Sequence, residues 1–206
     1  MRNKRIVMWL NVFLLIVMTI LLGRNTDVEV QASGDWRGYA VYRDGVVGNL
    51  NDHAALMDSS NIMVNYPIIQ ASGPGCSVDW VSWFGFTTGE NYLGLYKPYN
   101  CNMSQWGATF VSKARELRGT SYYFWGQIYY EASGTYVLPR EVLGMRCDGL
   151  VEYVYEWFGF PVYGGQFWDI TKNDTDCFDQ HDTLTTINPR LQHEDYLDFV
   201  SSSSPM

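Results

Sequence analysis

Basic residues are scarce in this chain of 206 residues: 14 lysines and arginines stand against 22 aspartates and glutamates, a formal net charge of -8. That balance argues against a phosphate backbone as the main partner, because nucleic-acid recognition needs a positive footprint. Histidine is scarcer still. The three histidines are far apart in sequence, and neither a His-Glu-x-x-His nor a Cys-x-x-Cys pattern occurs, so no metal or other cofactor is expected. Charged residues make up only 17% of the chain and hydrophobic ones 47%, which excludes a disordered chain and supplies a full core. No proline-rich or serine-rich linker interrupts residues 33 to 200 and no internal period appears, so a single domain over 33–200 is expected, with 201–206 a disordered tail.

The first 32 residues read as a secretory signal peptide. Arg2, Lys4 and Arg5 precede an apolar run from Ile6 to Leu22, and small residues at Val30 and Ala32 offer a cleavage site before Ser33. The run is 17 residues long, short for a comfortable membrane span, so contact with a membrane is expected only through this segment if it stays uncleaved. Its removal takes away four basic and two acidic residues and leaves a net charge of -10. A secreted or cell-envelope location follows, where disulfides are permitted; the four cysteines (Cys76, Cys101, Cys147, Cys177) allow two.

The fold class read from patterning is α+β. Gly38 to Arg43 reads as a strand stopped at Asp44-Gly45, and His53 to Met57 as the next, stopped by Asp58-Ser59-Ser60-Asn61. Ile62 to Gln70 reads as a third extended segment whose Pro67 places it at an edge or a bulge. Further on the period changes. Trp106, Phe110, Val111, Ala114 and Leu117 share a helical face between a cap at Asn102 or Ser104 and Gly119. Leu150, Val151, Val154, Tyr155 and Phe158 share another, with Glu152 and Glu156 on the opposite face and Gly159 as the stop. Leu191 to Val200 reads as a short closing helix or strand.

Cys147 falls at the start of that second helix, where the dipole and unpaired N–H groups favour thiolate and can hold an oxyanion. On position alone, a buried or disulfide-bonded structural cysteine is the commoner reading. Asp148 opposes thiolate formation unless it points away. Four aspartates, Asp174, Asp176, Asp179 and Asp182, lack the spacing of a calcium loop and read as a solvated acidic loop.

Two segments carry a family resemblance: Arg118-Gly119-Thr120-Ser121-Tyr122-Tyr123-Phe124-Trp125-Gly126, and Arg146-Cys147-Asp148-Gly149-Leu150-Val151-Glu152-Tyr153-Val154-Tyr155. They resemble the NlpC-type papain-like cysteine peptidases, in which a Gly-x-Pro-Tyr-x-Trp-Gly segment precedes an Asp-Cys-Ser-Gly-Leu-Val-x-Tyr-Val-Tyr segment bearing the nucleophile. Tyr122, Arg146 and Asp148 depart from that pattern. The family's histidine strand normally follows the cysteine, but neither His181 nor His193 sits in such a strand. The matching text is upstream, Asn51-Asp52-His53-Ala54-Ala55-Leu56-Met57, so the chain resembles the circularly permuted YiiX/YebB-like branch and, more distantly, the lecithin:retinol acyltransferase group.

The resemblance implies a permuted papain-like fold, an antiparallel sheet packed against the helix that bears the nucleophilic cysteine. It implies Cys147 as nucleophile, His53 as general base and a polar third residue on the strand after the histidine, Gln70 or, as the alternative, Asn65. Tyr123 and Trp125 match the family's aromatic segment, and Trp80, Trp83 and Phe84 are candidates for a substrate wall. The implied activity is amide hydrolysis through an acyl-enzyme, with cell-wall peptide as the leading substrate. A lipid deacylase or acyltransferase using the same residues, and a non-catalytic glycan- or protein-binding module on the same fold, are the other readings. With Cys147 assigned as a free thiol, Cys76 and Cys101 are the expected disulfide.

Overall fold

In the computed structural model, which describes residues 34–47, 50–131, 134, 136–163 and 187–205, β1 (Ala40–Val47) and β2 (Leu50–Met57) form an antiparallel pair. Ala40 stands opposite Leu56, and Arg43 opposite His53. Strand β1 does not stop at Asp44-Gly45. Asp44 still faces Asp52, and the register shifts only after it, so the expected turn is a bulge with Gly45 at φ 118°.

Strand β3 (Ile68–Ala71) lies beside β2, and β4 (Val78–Val81) beside β3. On the other side β5 (Tyr92–Pro98) pairs with β1, and β9 (Leu197–Ser201) pairs with β5. The result is a six-stranded antiparallel sheet in the order β4-β3-β2-β1-β5-β9. The strand expected over Ile62–Gln70 is therefore shorter and lies inside the sheet. Pro67 has no N–H to give a ladder, so β3 starts after it, while its carbonyl accepts the N–H groups of Asp58 (2.7 Å) and Ser59 (3.2 Å).

A smaller sheet is built from β6 (Ser121–Tyr122), β7 (Ile128–Tyr130) and β8 (Val142–Met145), with β8 central. Four α-helices, α1 (Trp83–Thr87), α2 (Met103–Glu116), α3 (Cys147–Trp157) and α4 (Pro189–Asp195), and a 3-10 turn at Pro139–Glu141 complete the elements of the described residues. The class is thus α+β, with a mainly antiparallel strand arrangement.

Helix α2 follows its pattern: the Asn102 side chain caps it at Ser104 N, and Phe110, Val111 and Ala114 are buried. The Phe110 ring meets Tyr155 of α3 edge-on at 4.8 Å. Helix α3 departs from its pattern, because every residue from Cys147 to Glu156 is buried, Glu152 and Glu156 included. It packs against β2, β3, α2 and α4, so no face is left for water. One oxygen of each of these glutamates is bonded internally: Glu156 Oε1 accepts the N–H groups of Val162 and Tyr163 at 3.0 Å each, and Glu152 Oε2 accepts from Gln127.

The closing segment resolves into both α4 and β9, and Ser201, expected in the tail, pairs with Leu95 as the last residue of β9. The described residues all belong to one of two units, Ser33–Met206. The signal segment, the acidic cluster Asp174 to Asp182, Cys177 and His181 lie outside the described residues.

Candidate active site at the parting of two strands

Strands β2 and β3 are paired only at Leu56–Ile69 and Met57–Ile68 and then diverge. The N–H of Met57 points to β1, where it meets Tyr39 O at 2.8 Å. By alternation the N–H of Ala54 points to the β3 side. With β3 gone, that N–H meets the sulfur of Cys147. Cys147 is the first residue of α3, after an extended Arg146 (φ -82°, ψ 173°), and the N–H of Asp148 also serves its sulfur. The sulfur thus sits on the backbone of the residue that follows His53.

His53 projects to the opposite face of β2 from Ala54. Gln70 would stand opposite Ala55 in the extended register, so its side chain reaches His53 diagonally on the same face. His53 Nε2 lies 2.7 Å from Gln70 Oε1. An amide oxygen only accepts, so Nε2 carries the proton and Nδ1 keeps the free lone pair. The Phe86 ring of α1 lies 5.6 Å from the imidazole, and Arg43, opposite His53 on β1, sets its guanidinium 5.4 Å from the Phe86 ring.

Burial pulls His53 down to about 4; the Gln70 hydrogen bond works against that shift and the Arg43 charge adds to it. Burial pushes the Cys147 thiol up to about 12. The Asp148 charge adds to that rise, and the Ala54 N–H, the Arg146 charge and the Asp148 N–H oppose it. The imidazole's hydrogen bond is the one to Gln70, and none joins it to the thiol. At neutral pH the resting thiol and the resting imidazole are therefore both uncharged.

Arg146 and Asp148 flank the cysteine and are fully buried. They bind each other in two parallel contacts, Nε to Oδ1 at 2.9 Å and Nη2 to Oδ2 at 2.7 Å, and Nη2 also donates to Ile187 O at 2.8 Å. The Asp148 carboxylate is thus turned to Arg146, yet its charge outweighs that of Arg146 at the sulfur.

The segment 123–127 runs directly beside 145–147: Tyr123 N donates to Met145 O at 3.0 Å and Arg146 N to Gln127 O at 2.9 Å. Gly149 is what lets α3 close on this segment, since a Cβ there would run into the Gln127 carbonyl and come within 2.9 Å of Ile128 Cγ1. Tyr123 stacks on Tyr129 at 5.3 Å, and Trp125 is 69% exposed. Trp83 packs on Tyr92, and its helix α1 borders the site through Phe86; Phe84 is exposed. Trp80 stands apart on the outer strand β4, its ring 4.2 Å from the Arg118 guanidinium.

Between the two alternatives for a third residue, the structure brings Gln70 to His53 and leaves Asn65 exposed in the turn before Pro67. The expected Cys76–Cys101 disulfide is not formed. Cys76 is an exposed free cysteine in the turn before β4, and Cys101 is buried before α2 with its sulfur 3.6 Å from that of Met103; Cys147 is also free. Sequence reasoning missed Arg43 and Phe86 at the imidazole, and Gln192 and His193 behind the cysteine. Arg43 could have been found from the β1–β2 register, whereas nothing local marks Phe86.

Among the described residues no group of three or more His, Cys, Asp or Glu could hold a metal ion, and no helix is long and apolar enough to cross a membrane. No family model, curated protein or solved structure matches the chain.

Proposed function

We propose that the chain is an exported cysteine hydrolase with a circularly permuted papain-like (NlpC-type, YiiX/YebB-like) architecture, acting on an amide bond, with cell-wall peptide as the leading substrate. The observation that carries this reading is the placement of the Cys147 sulfur by the Ala54 N–H, one residue along β2 from a His53 whose Nε2 is already engaged by Gln70. Cys147, His53 and Gln70 are carried by elements that border the gap where two strands part, and the base strand precedes the nucleophile helix as the permuted order requires.

In this reading His53 Nδ1 takes the thiol proton as sulfur attacks the carbonyl carbon, because an uncharged thiol has no preformed thiolate to offer. The N–H groups at the start of α3 hold the oxyanion. As the C–N bond breaks, His53 returns the proton to the leaving amine, and water then hydrolyses the thioester with His53 again as base. Gln70 holds the Nε2–H throughout and so keeps Nδ1 as the reacting nitrogen. Tyr123 and Trp125, beside the strand that leads into Cys147, are the nearest candidates for contact with substrate. The net charge of -10 gives no attraction to an anionic wall, so binding rests on such contacts.

A non-catalytic reading draws on one observation, that Cys147 is 1% exposed with a strongly raised pKa. Incubating the purified protein with muropeptides and, separately, with acyl lipids decides among the readings. Release of an amine from muropeptides, lost in both Cys147→Ala and His53→Ala, is expected. Products from acyl lipids alone would move the assignment to deacylation or acyl transfer, and turnover retained in either variant would overturn the roles.

A further inference from the structure

Helix α4 touches both halves of the site through two consecutive residues. Gln192 is fully buried; its Nε2 donates to Asp148 O (3.0 Å) and Glu152 Oε2 (3.4 Å), and its Oε1 accepts from Tyr42 OH at 2.6 Å. His193, the next residue, places Nε2 2.8 Å from Asp52 Oδ2. Consecutive helix positions diverge by about 100°, so one helix can address two neighbours in this way. The two partners are the residue that follows Cys147 and the residue that precedes His53.

The strand pattern explains why α4 can reach both. Asp52 and Ala54 share the face of β2 opposite His53, the face that α4 also covers. There the His193 imidazole packs against the rings of both Tyr42 (4.8 Å) and Tyr96 (5.0 Å), which meet each other edge-on, and Tyr42 links by its hydroxyl to Gln192. Each of these hydrogen bonds ties α4 to an element on or beside the site. The helix is seven residues long and is itself fixed by the Asn188 side chain on Leu191 N (3.0 Å) and by Pro189 in its first turn.

We propose that Gln192 and His193 are positioning residues, a two-pronged brace that sets the separation of the Cys147 sulfur and the His53 ring from behind the sheet. The word positioning rests on the catalytic reading of Cys147 and His53, while the geometry of the brace does not. Removing either prong should let the start of α3 move off β2 and expose the sulfur, while the rest of the core stays closed.

The test uses the full chain and iodoacetamide, with the labelling rates of Cys147 and Cys101 read separately by mass spectrometry. Cys101 is a buried free thiol that is not a partner of Gln192 or His193, and it reports general loosening. In His193→Leu, and in Gln192→Met should the first variant fail to fold, the ratio of Cys147 to Cys101 labelling should rise on the order of tenfold, the scale of one lost charged hydrogen bond. His193→Gln, which can still donate to Asp52, should restore the wild-type ratio. An unchanged ratio in the folded variants, or a failure of His193→Gln to restore it, overturns the brace. Amide hydrolysis lost in proportion to the ratio supports the positioning role. A raised ratio in a protein with no hydrolase activity leaves the brace standing and removes the catalytic reading alone.

Discussion

His53 Nε2 and Gln70 Oε1 lie 2.7 Å apart across the gap where β2 and β3 separate, and this contact fixes which imidazole nitrogen is free to act as a base. Replacing Gln70 with leucine keeps the bulk and removes the acceptor. Hydrolysis should then fall by up to about 100-fold, the lower end of what a general base contributes, mainly in kcat. Nitrogen NMR of His53 should show one tautomer in the wild type and a mixture in the variant. A single unchanged tautomer in Gln70→Leu would remove Gln70 from the site.

The His53 shift makes the fold sensitive to acid. Its folded pKa is about 4 against an ordinary value of 6.5, so the unfolded chain binds the extra proton between those limits. Its contribution is therefore present above pH 6.5 and lost as pH falls through 4, amounting to about 3 kcal/mol. Urea unfolding at intervals from pH 7 to 4 should show a steeper loss in the wild type than in His53→Gln. Parallel curves would mean that the imidazole is not buried neutral.

The cysteine has the opposite sign. With its folded pKa raised to about 12 from an ordinary 9, Cys147 stabilises the fold fully below pH 9, and that contribution is lost as pH rises toward 12. At pH 8 its thiolate population should be about 1000-fold below that of a cysteine in an unfolded peptide, since each pKa unit is a factor of ten. Alkylation should accordingly reach the exposed Cys76 first. Asp148→Asn removes the charge that ranks second among the causes of the rise, so it should speed Cys147 alkylation; a slower rate would contradict the electrostatic account.

Where the sequence was readable, the signal was local. Asn102 before an apolar period marked α2, and Gly159 beyond Phe158 marked the end of α3, because caps and breakers act within a turn of their own position. The cysteine at a helix start was legible for the same reason, whereas Gln70 was reached only through the family resemblance and not from any signal of its own. Glu152 and Glu156 misled, since a period of apolar residues shows which face is buried but not that a second layer, α4 and the 162–163 segment, buries the other. Asp44-Gly45 misled because a turn dipeptide and a glycine bulge have the same local chemistry, and only pairing with β2 distinguishes them. The parting of β2 from β3, on which the site depends, is a relation between strands and leaves no mark in either one.

The Arg146–Asp148 pair should behave as a buried unit. Arg146→Met alone strands a carboxylate beside the sulfur and should cost about 3–5 kcal/mol, whereas Arg146→Met combined with Asp148→Leu should recover most of that loss. Thermal unfolding of the two single variants and the double variant gives the coupling. Additive losses would mean that the two charges do not act as one.

Gly149 sets two effects of opposite sign against each other. Alanine gains about 1 kcal/mol of helix propensity over glycine, but its methyl would meet the Gln127 carbonyl and Ile128 Cγ1, and overpacking of this kind costs about 1–3 kcal/mol. A backbone carbonyl held by Arg146 N has little room to yield, so the clash should win. Gly149→Ala should lower the melting temperature and, by lifting the first turn of α3 from β2, draw the sulfur off the Ala54 N–H and reduce hydrolysis. Gly134→Ala, where nothing lies within 4 Å of the added methyl, should stay within about 0.5 kcal/mol of the wild type. Equal stability of the two variants would show that α3 does not need this close approach to hold Cys147 in place.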